Sequence, residues 1–369
     1  MLRTTLALLF SLLVAGSSNS YGGIGFWQVL NAKAEPLQLY WQFPRYFLAN
    51  INKLPKKTLG LLARHHIPSA QYEYSLHLIK KDQAEAAKLF WRQSLPKISN
   101  FQLAKLAQQL LVNKQWDDLK LLNTLGYLEP GFVLNHLNLH NGVIHTQIPE
   151  PFLHSLGFLS LNSIIAVNRK CQFNVLTMSD HRSGLYKLSA LIKTYNKNPE
   201  PRQDTFCFSK PVYVGGALKC NNSMSEAANC DWQSTLINKQ FLRKFDFVVM
   251  MPKYGSANVS RGIMQLNSDA NYGIFLHELM HFNGFEDEYV LPKAKQAWLC
   301  KMRGLVAPNL YIAQKDEKSP KGWHRSKSCQ SGGVAYKPSK DWSILEYQQI
   351  KLSDQYRALW LAHIDKIKR

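Results

Sequence analysis

Apolar positions change their spacing along this chain, and each change predicts a different kind of structure. Leu6 to Ala15 form one apolar run behind a single basic residue, Arg3, and ahead of Gly16-Ser17-Ser18-Asn19-Ser20. That order predicts a cleaved signal peptide over residues 1–20, since the run is too short to span a bilayer. No later segment reads as a transmembrane helix. From about Leu37 to Gln147 apolar residues recur at helical spacing. Within that stretch Ile79-Lys80-Lys81-Asp82-Gln83-Ala84 lines up with Leu111-Val112-Asn113-Lys114-Gln115-Trp116, an apolar helix end meeting a polar turn and a second helix. Pro149-Glu150-Pro151 then interrupts the pattern. The boundary is placed there, giving a helical domain over 21–150 and a second domain over 151–369.

Beyond the prolines the pattern alternates. Asn174 to Met178 and Pro211 to Val214 read as strands, with helical spacing from Leu185 to Tyr195 between them. Phe245 to Met251 is the strongest strand, ended by Pro252. Gly262-Ile263-Met264-Gln265-Leu266 is short and alternating, as expected of an edge strand, and an edge strand beside a cleft can take an extended peptide as one further strand. An apolar stretch, Gly273-Ile274-Phe275-Leu276, then leads into another helix. The pattern therefore predicts an α+β protein, helical in its first part and mixed in its second.

Composition sharpens this. A 46% hydrophobic and 12% aromatic content suits well-packed cores and argues against disorder. The formal charge of +20 points to anionic surroundings, an envelope polymer among them. No nucleic-acid-binding motif accompanies the charge, and none is expected in an exported chain. All six cysteines lie in the second part, and an even number behind a signal peptide predicts disulfides. Pairing sequence neighbours joins Cys220 to Cys230 and Cys300 to Cys329, although the sequence leaves the connectivity open.

The helix after Leu276 carries His277-Glu278-Leu279-Met280-His281, followed by Phe282-Asn283-Gly284-Phe285-Glu286-Asp287-Glu288-Tyr289. Histidines four apart on a helix project from one face, with the glutamate beside anything they hold in common. Catalytic zinc takes three protein ligands, leaves one position for water and lowers that water's pKa to about 7. Glu278 is then the base. Gly284 can adopt φ > 0, so the helix ends there and the chain turns back. Asp287 stands where a third ligand can reach the same ion. Its neighbours Glu286 and Glu288 compete for that role, but in an extended chain they point to the opposite side. The remaining histidines, His65, His66 and His324 among them, belong to no ligand spacing, and the absence of a GxSxG elbow disfavours a serine hydrolase.

Two resemblances follow from these residues. The aligned turns at Asp82 and Lys114 resemble the helix-turn-helix of tetratricopeptide-type repeats, which implies a concave surface for a peptide or partner protein. The order of strand, helix, strands, edge strand and HExxHxxGxxD resembles the catalytic domain of metzincin-like zinc peptidases. The triplet Asp287-Glu288-Tyr289 is similar to the HExxH...DEY pattern of the IgA-peptidase family, with one residue fewer before the aspartate, and Gly332 to Ser339 resembles a segment of those enzymes. Ser343-Ile344-Leu345-Glu346-Tyr347 looks like the metzincin Met-turn, with Leu345 at the methionine position. The resemblance implies that His277, His281 and Asp287 hold Zn2+, that Glu278 is catalytic, and that Tyr347 assists at the metal or oxyanion.

The expectation is a periplasmic or secreted zinc metallopeptidase acting on a peptide or protein substrate. An amidase of peptidoglycan peptides would use the same chemistry. A helical-repeat adaptor with a degenerate zinc domain is the reading from outside enzymology.

Overall fold

A computed structural model describes residues 35–221, 226–232, 244–314 and 317–367. The expected leader over 1–20 lies outside the described residues. The chain forms two compact units, the first ending at Leu137 and the second beginning at Asn138.

The first unit is helical: α1 (Pro36–Gln42), α2 (Pro44–Ala49), α3 (Lys56–Arg64), α4 (Pro68–Lys80), α5 (Ala84–Ser94), α6 (Asn100–Val112) and α7 (Trp116–Thr124), with α8 (Phe132–Asn141) crossing the boundary. Proline opens α1, α2 and α4, where its missing N–H costs no helical hydrogen bond. Ser99 and Gln102 close a capping box on α6. The two stretches aligned by sequence form the same turn. Asp82 and Lys114 both take left-handed backbone, at φ 58° and 55°, and the N–H groups of Gln83 and Gln115 bond back to the Leu78 and Leu110 carbonyls. Trp91, Leu106, Leu110 and Leu119 are fully buried between the helices.

The second unit is mixed. After α9 (Glu150–Ser155), which starts at the predicted proline break, come β1 (Phe173–Ser179), α10 (Arg182–Lys197), β2 (Phe206–Phe208), β3 (Val212–Tyr213), β4 (Leu218–Cys220) and β5 (Cys230–Trp232). They are followed by β6 (Phe247–Met251), β7 (Asn258–Ser260), β8 (Ile263–Gln265), α11 (Tyr272–Phe282) and α12 (Lys293–Leu299). The rest is β9 (Gly304–Ala307), β10 (Leu310–Ala313), β11 (His324–Arg325), β12 (Val334–Lys337) and α13 (Asp354–Ile367).

The main sheet runs β2-β1-β6-β8-β7, with β3 also paired to β1. Its strands are parallel except β7, which is antiparallel to β8. Strand β6 is a continuous apolar run, and β1 is buried along nearly all its length, because both faces are covered. Val175, Val249 and Met251 join one core with Phe275 and Leu279 of α11 and Trp360 of α13, while Leu176, Met178, Val248 and Met250 join another. A smaller antiparallel sheet, β11-β12-β10-β9, lies later in the chain.

The segment expected at the edge is interior. Residues Ile263 to Gln265 pair with β6 on one side and β7 on the other, which leaves Met264 fully buried. The edge is β7, whose Asn258-Val259-Ser260 carries one apolar residue and suits an exposed backbone row.

Disulfides join Cys171 to Cys207, Cys220 to Cys230 and Cys300 to Cys329. The last two are the neighbour pairs expected from sequence. Among the described residues no helix is long and apolar enough to cross a membrane. The disulfides agree with an extracytoplasmic protein.

Candidate metal centre

Helix α11 is anchored at both ends. Asn271 caps its start by accepting the Ile274 N–H at 2.9 Å. Its end is a Schellman motif: Gly284, at φ 76°, donates to the His281 carbonyl, and Phe285 donates to that of Met280. The left-handed glycine reverses the chain, so residues 285–289 pass back over the histidine face.

There the reversal brings three side chains together. The Nε2 atoms of His277 and His281 stand 3.0 Å apart, and Asp287 Oδ1 lies 3.1 Å from each. What these atoms carry is decided at the far side of each ring. His277 Nδ1 is 2.9 Å from the Ile344 carbonyl and His281 Nδ1 is 2.7 Å from the Phe285 carbonyl. A carbonyl only accepts, so each Nδ1 holds its ring's proton, and in the neutral rings both Nε2 atoms present lone pairs. Asp287 Oδ1 is buried without a donor. Three acceptors facing one another at this distance repel unless a cation joins them.

In the absence of a metal that cation is a proton. Burial pushes the His281 imidazole down, but the hydrogen bond and charge of Asp287, aided by Glu278, outweigh it and lift His281 to about 9. Asp287 is likewise opposed by burial yet held far below the usual carboxylate range by the two imidazoles. The hydrogen bond between Asp287 and a ring therefore exists only when that ring takes a second proton. Two imidazole nitrogens and one carboxylate oxygen are also a donor set that suits Zn2+. His277, His281 and Asp287 are the residues that would hold it.

Glu278 lies beside them, with a carboxylate oxygen within 4.8 Å of both histidine ligand atoms. Burial raises its carboxyl above the ordinary value, against the pull of His281 and His277. A carboxylate raised in this way is a better proton acceptor.

Position separates the three neighbouring carboxylates. Glu286 forms an ion pair with Lys295. Glu288 is fully buried and points away into a polar cluster: Oε1 accepts from Tyr356 Oη at 2.6 Å and Asn309 Nδ2 at 2.9 Å, and Oε2 accepts from Ser343 Oγ at 2.5 Å. Lys337 Nζ stands 3.7 Å from Glu288 and 2.6 Å from Glu346. Asn309 also bonds both backbone groups of Glu286, and Ser328 Oγ donates to the Asp287 carbonyl at 2.9 Å. Asp287 is thus gripped from both sides along the backbone.

The turn Ser343 to Tyr347 runs beneath the site. Its Ile344 carbonyl orients His277, its Leu345 carbonyl accepts the Glu288 N–H at 2.9 Å, and Leu345 is fully buried beside α11. Tyr347 is placed differently: its ring packs on Trp342, its hydroxyl accepts from Lys327, and it is not among the residues lining the cavity.

That cavity, of about 430 Å³, opens in front of His277, Glu278, His281 and Asp287 and is bounded by β7. Two of its residues have no role assigned from sequence. Tyr289 lines it, and its phenol is pushed up by burial, by the Asp287 charge and by a hydrogen bond to that carboxylate. The i, i+2 relation to Asp287 in an extended segment is the signal that finds it. Arg261, in the β7–β8 turn, also lines the cavity. No protein-family model matches the chain and no curated protein matches it, so the site rests on its own geometry.

Proposed function

We propose that this protein is an exported zinc metallopeptidase of metzincin-like architecture, with His277, His281 and Asp287 as ligands and Glu278 as general base. The observation that carries the reading is the meeting of three lone-pair atoms at 3.0–3.1 Å, with both histidine tautomers set by backbone carbonyls. A zinc ion held there supplies an acidified water and polarises a carbonyl oxygen. Glu278 takes the proton from water and delivers it to the departing amine. Buried Glu288 and the turn around Leu345 keep Asp287 and His277 in place, and Tyr289 stands near the Asp287 carboxylate. The order of elements and the turn beneath the histidines support the metzincin resemblance. An unpaired edge strand, β7, beside the cavity offers backbone groups to an extended peptide.

The matching turns at Asp82 and Lys114 support reading the first unit as tetratricopeptide-like and as a surface for a partner or substrate. The charge of +20 suits work near an anionic envelope polymer. Metal analysis paired with a peptide-library digest tests the function: one zinc per chain with chelator-sensitive cleavage is expected. Cleavage confined to peptidoglycan fragments would favour the amidase, and zinc without any hydrolysis would favour the adaptor.

A further inference from the structure

We propose that Arg261 is a carboxylate-recognising residue of the cavity, so that the preferred peptide carries a carboxylate beside the bond presented to the histidines. The inference rests on the metallopeptidase reading and adds a substrate class to it. Arg261 and Gly262 form the two-residue loop between β7 and β8, with Ser260 paired to Ile263 across it. Both loop residues have positive φ, 50° and 75°, as in a type I′ hairpin turn. That turn favours Asn, Asp or Gly at its first position, since a longer side chain gains nothing there and left-handed backbone costs about 1 kcal/mol or more. Folding of the hairpin therefore does not account for arginine.

Its surroundings do. Arg261 lines the same cavity as His277, Glu278, His281 and Asp287, at the end of the edge strand. Among the described residues it has no ion-pair partner, whereas the other cation of the cavity, Lys295, is paired with Glu286. With a divalent ion balancing Glu278 and Asp287, the guanidinium is the charge left over. Phe247, Val259 and Phe285 give the same cavity apolar surface. A guanidinium in such a cavity takes a carboxylate bidentately, through its planar fork. The carboxylate comes from an acidic side chain or from the peptide's C-terminus.

The test is a binding measurement on the zinc-loaded Glu278→Gln protein, which removes turnover and leaves the cavity. Four neutral-flanked hexapeptides are titrated calorimetrically: an internal Glu against an internal Gln, both C-terminally amidated, and a free acid against its amide without acidic side chains. One carboxylate peptide is expected to bind about tenfold more tightly than its amide partner. Preference within the first pair identifies a side chain, and within the second a chain end. Arg261→Asn should abolish the preference while keeping or raising the melting temperature, because asparagine suits the turn, so misfolding cannot explain the loss. Arg261→Lys should keep part of it. Equal affinities within both pairs, no binding of any peptide, or a preference that survives Arg261→Asn overturns the proposal. A protein that takes up no zinc overturns the underlying reading instead, and this inference with it.

Discussion

Asn309 Nδ2 donates to the Glu286 carbonyl at 2.7 Å and to Glu288 Oε1 at 2.9 Å, bracketing the aspartate between them. Its Oδ1 accepts the Glu286 N–H at 2.9 Å, and the side chain is wholly buried in the β9–β10 turn. Asn309 touches no candidate ligand atom, yet it fixes the segment that delivers Asp287. Outer residues of this kind cost about 10- to 100-fold in metal affinity when removed. Asn309→Ala is therefore expected to weaken zinc binding by that factor in competition with a chromophoric chelator. Unchanged affinity in a folded variant would show that Asp287 holds its place without the clamp.

Glu278→Gln separates holding the metal from using it. The amide keeps the shape of the side chain but cannot take a proton, while His277, His281 and Asp287 are untouched. Zinc content should stay at the wild-type level, and hydrolysis of a peptide that the wild type cleaves should fall by about 10²- to 10⁴-fold. Full activity in that variant would remove Glu278 from the mechanism.

The metal-free and zinc-loaded proteins are expected to differ in their stability at alkaline pH. Without metal, His281 is lifted from 6.5 to about 9 by Asp287, despite its burial. A raised group stabilises the fold fully below its unfolded pKa, and that contribution is lost as pH rises through the folded value. Asp287, depressed from 3.8, contributes above that value and loses its contribution as pH falls into the strongly acid range. The metal-free protein should therefore lose stability between about pH 6.5 and 9. Zinc competes with the His281 proton, so the loaded protein should lack this decline, and zinc affinity should rise with pH over the same interval. Melting temperatures of both forms measured from neutral to alkaline pH check this; parallel profiles would contradict it.

What the sequence revealed is local, and what it hid is distant. His277 and His281 are one helical turn apart, and Gly284 and Asp287 follow within the next few residues, so spacing alone located them. The carbonyl that orients His277 belongs to Ile344, 67 positions later, and only the resemblance of Ser343–Tyr347 to a known turn hinted at it. Asn309, inside a hairpin of the second sheet, gave no local signal. The misplaced edge strand has a simple cause: an inner and an edge strand share period-two alternation, and Asn258-Val259-Ser260 is too polar to stand out. Tyr289 stands out in the sequence only as the last member of the Asp287-Glu288-Tyr289 triplet, while its place on the side of Asp287 follows from period-two alternation.

The central claim, that His277, His281 and Asp287 hold one zinc ion, is tested most directly by zinc uptake. Protein stripped with a chelator is dialysed against zinc, and bound metal is counted in the wild type and in Asp287→Ala and Glu286→Ala variants whose folding is verified by circular dichroism. One equivalent in the wild type and in Glu286→Ala, with stoichiometric binding lost in Asp287→Ala, is the predicted result. Stoichiometric zinc in Asp287→Ala, or none in the wild type, would contradict the account.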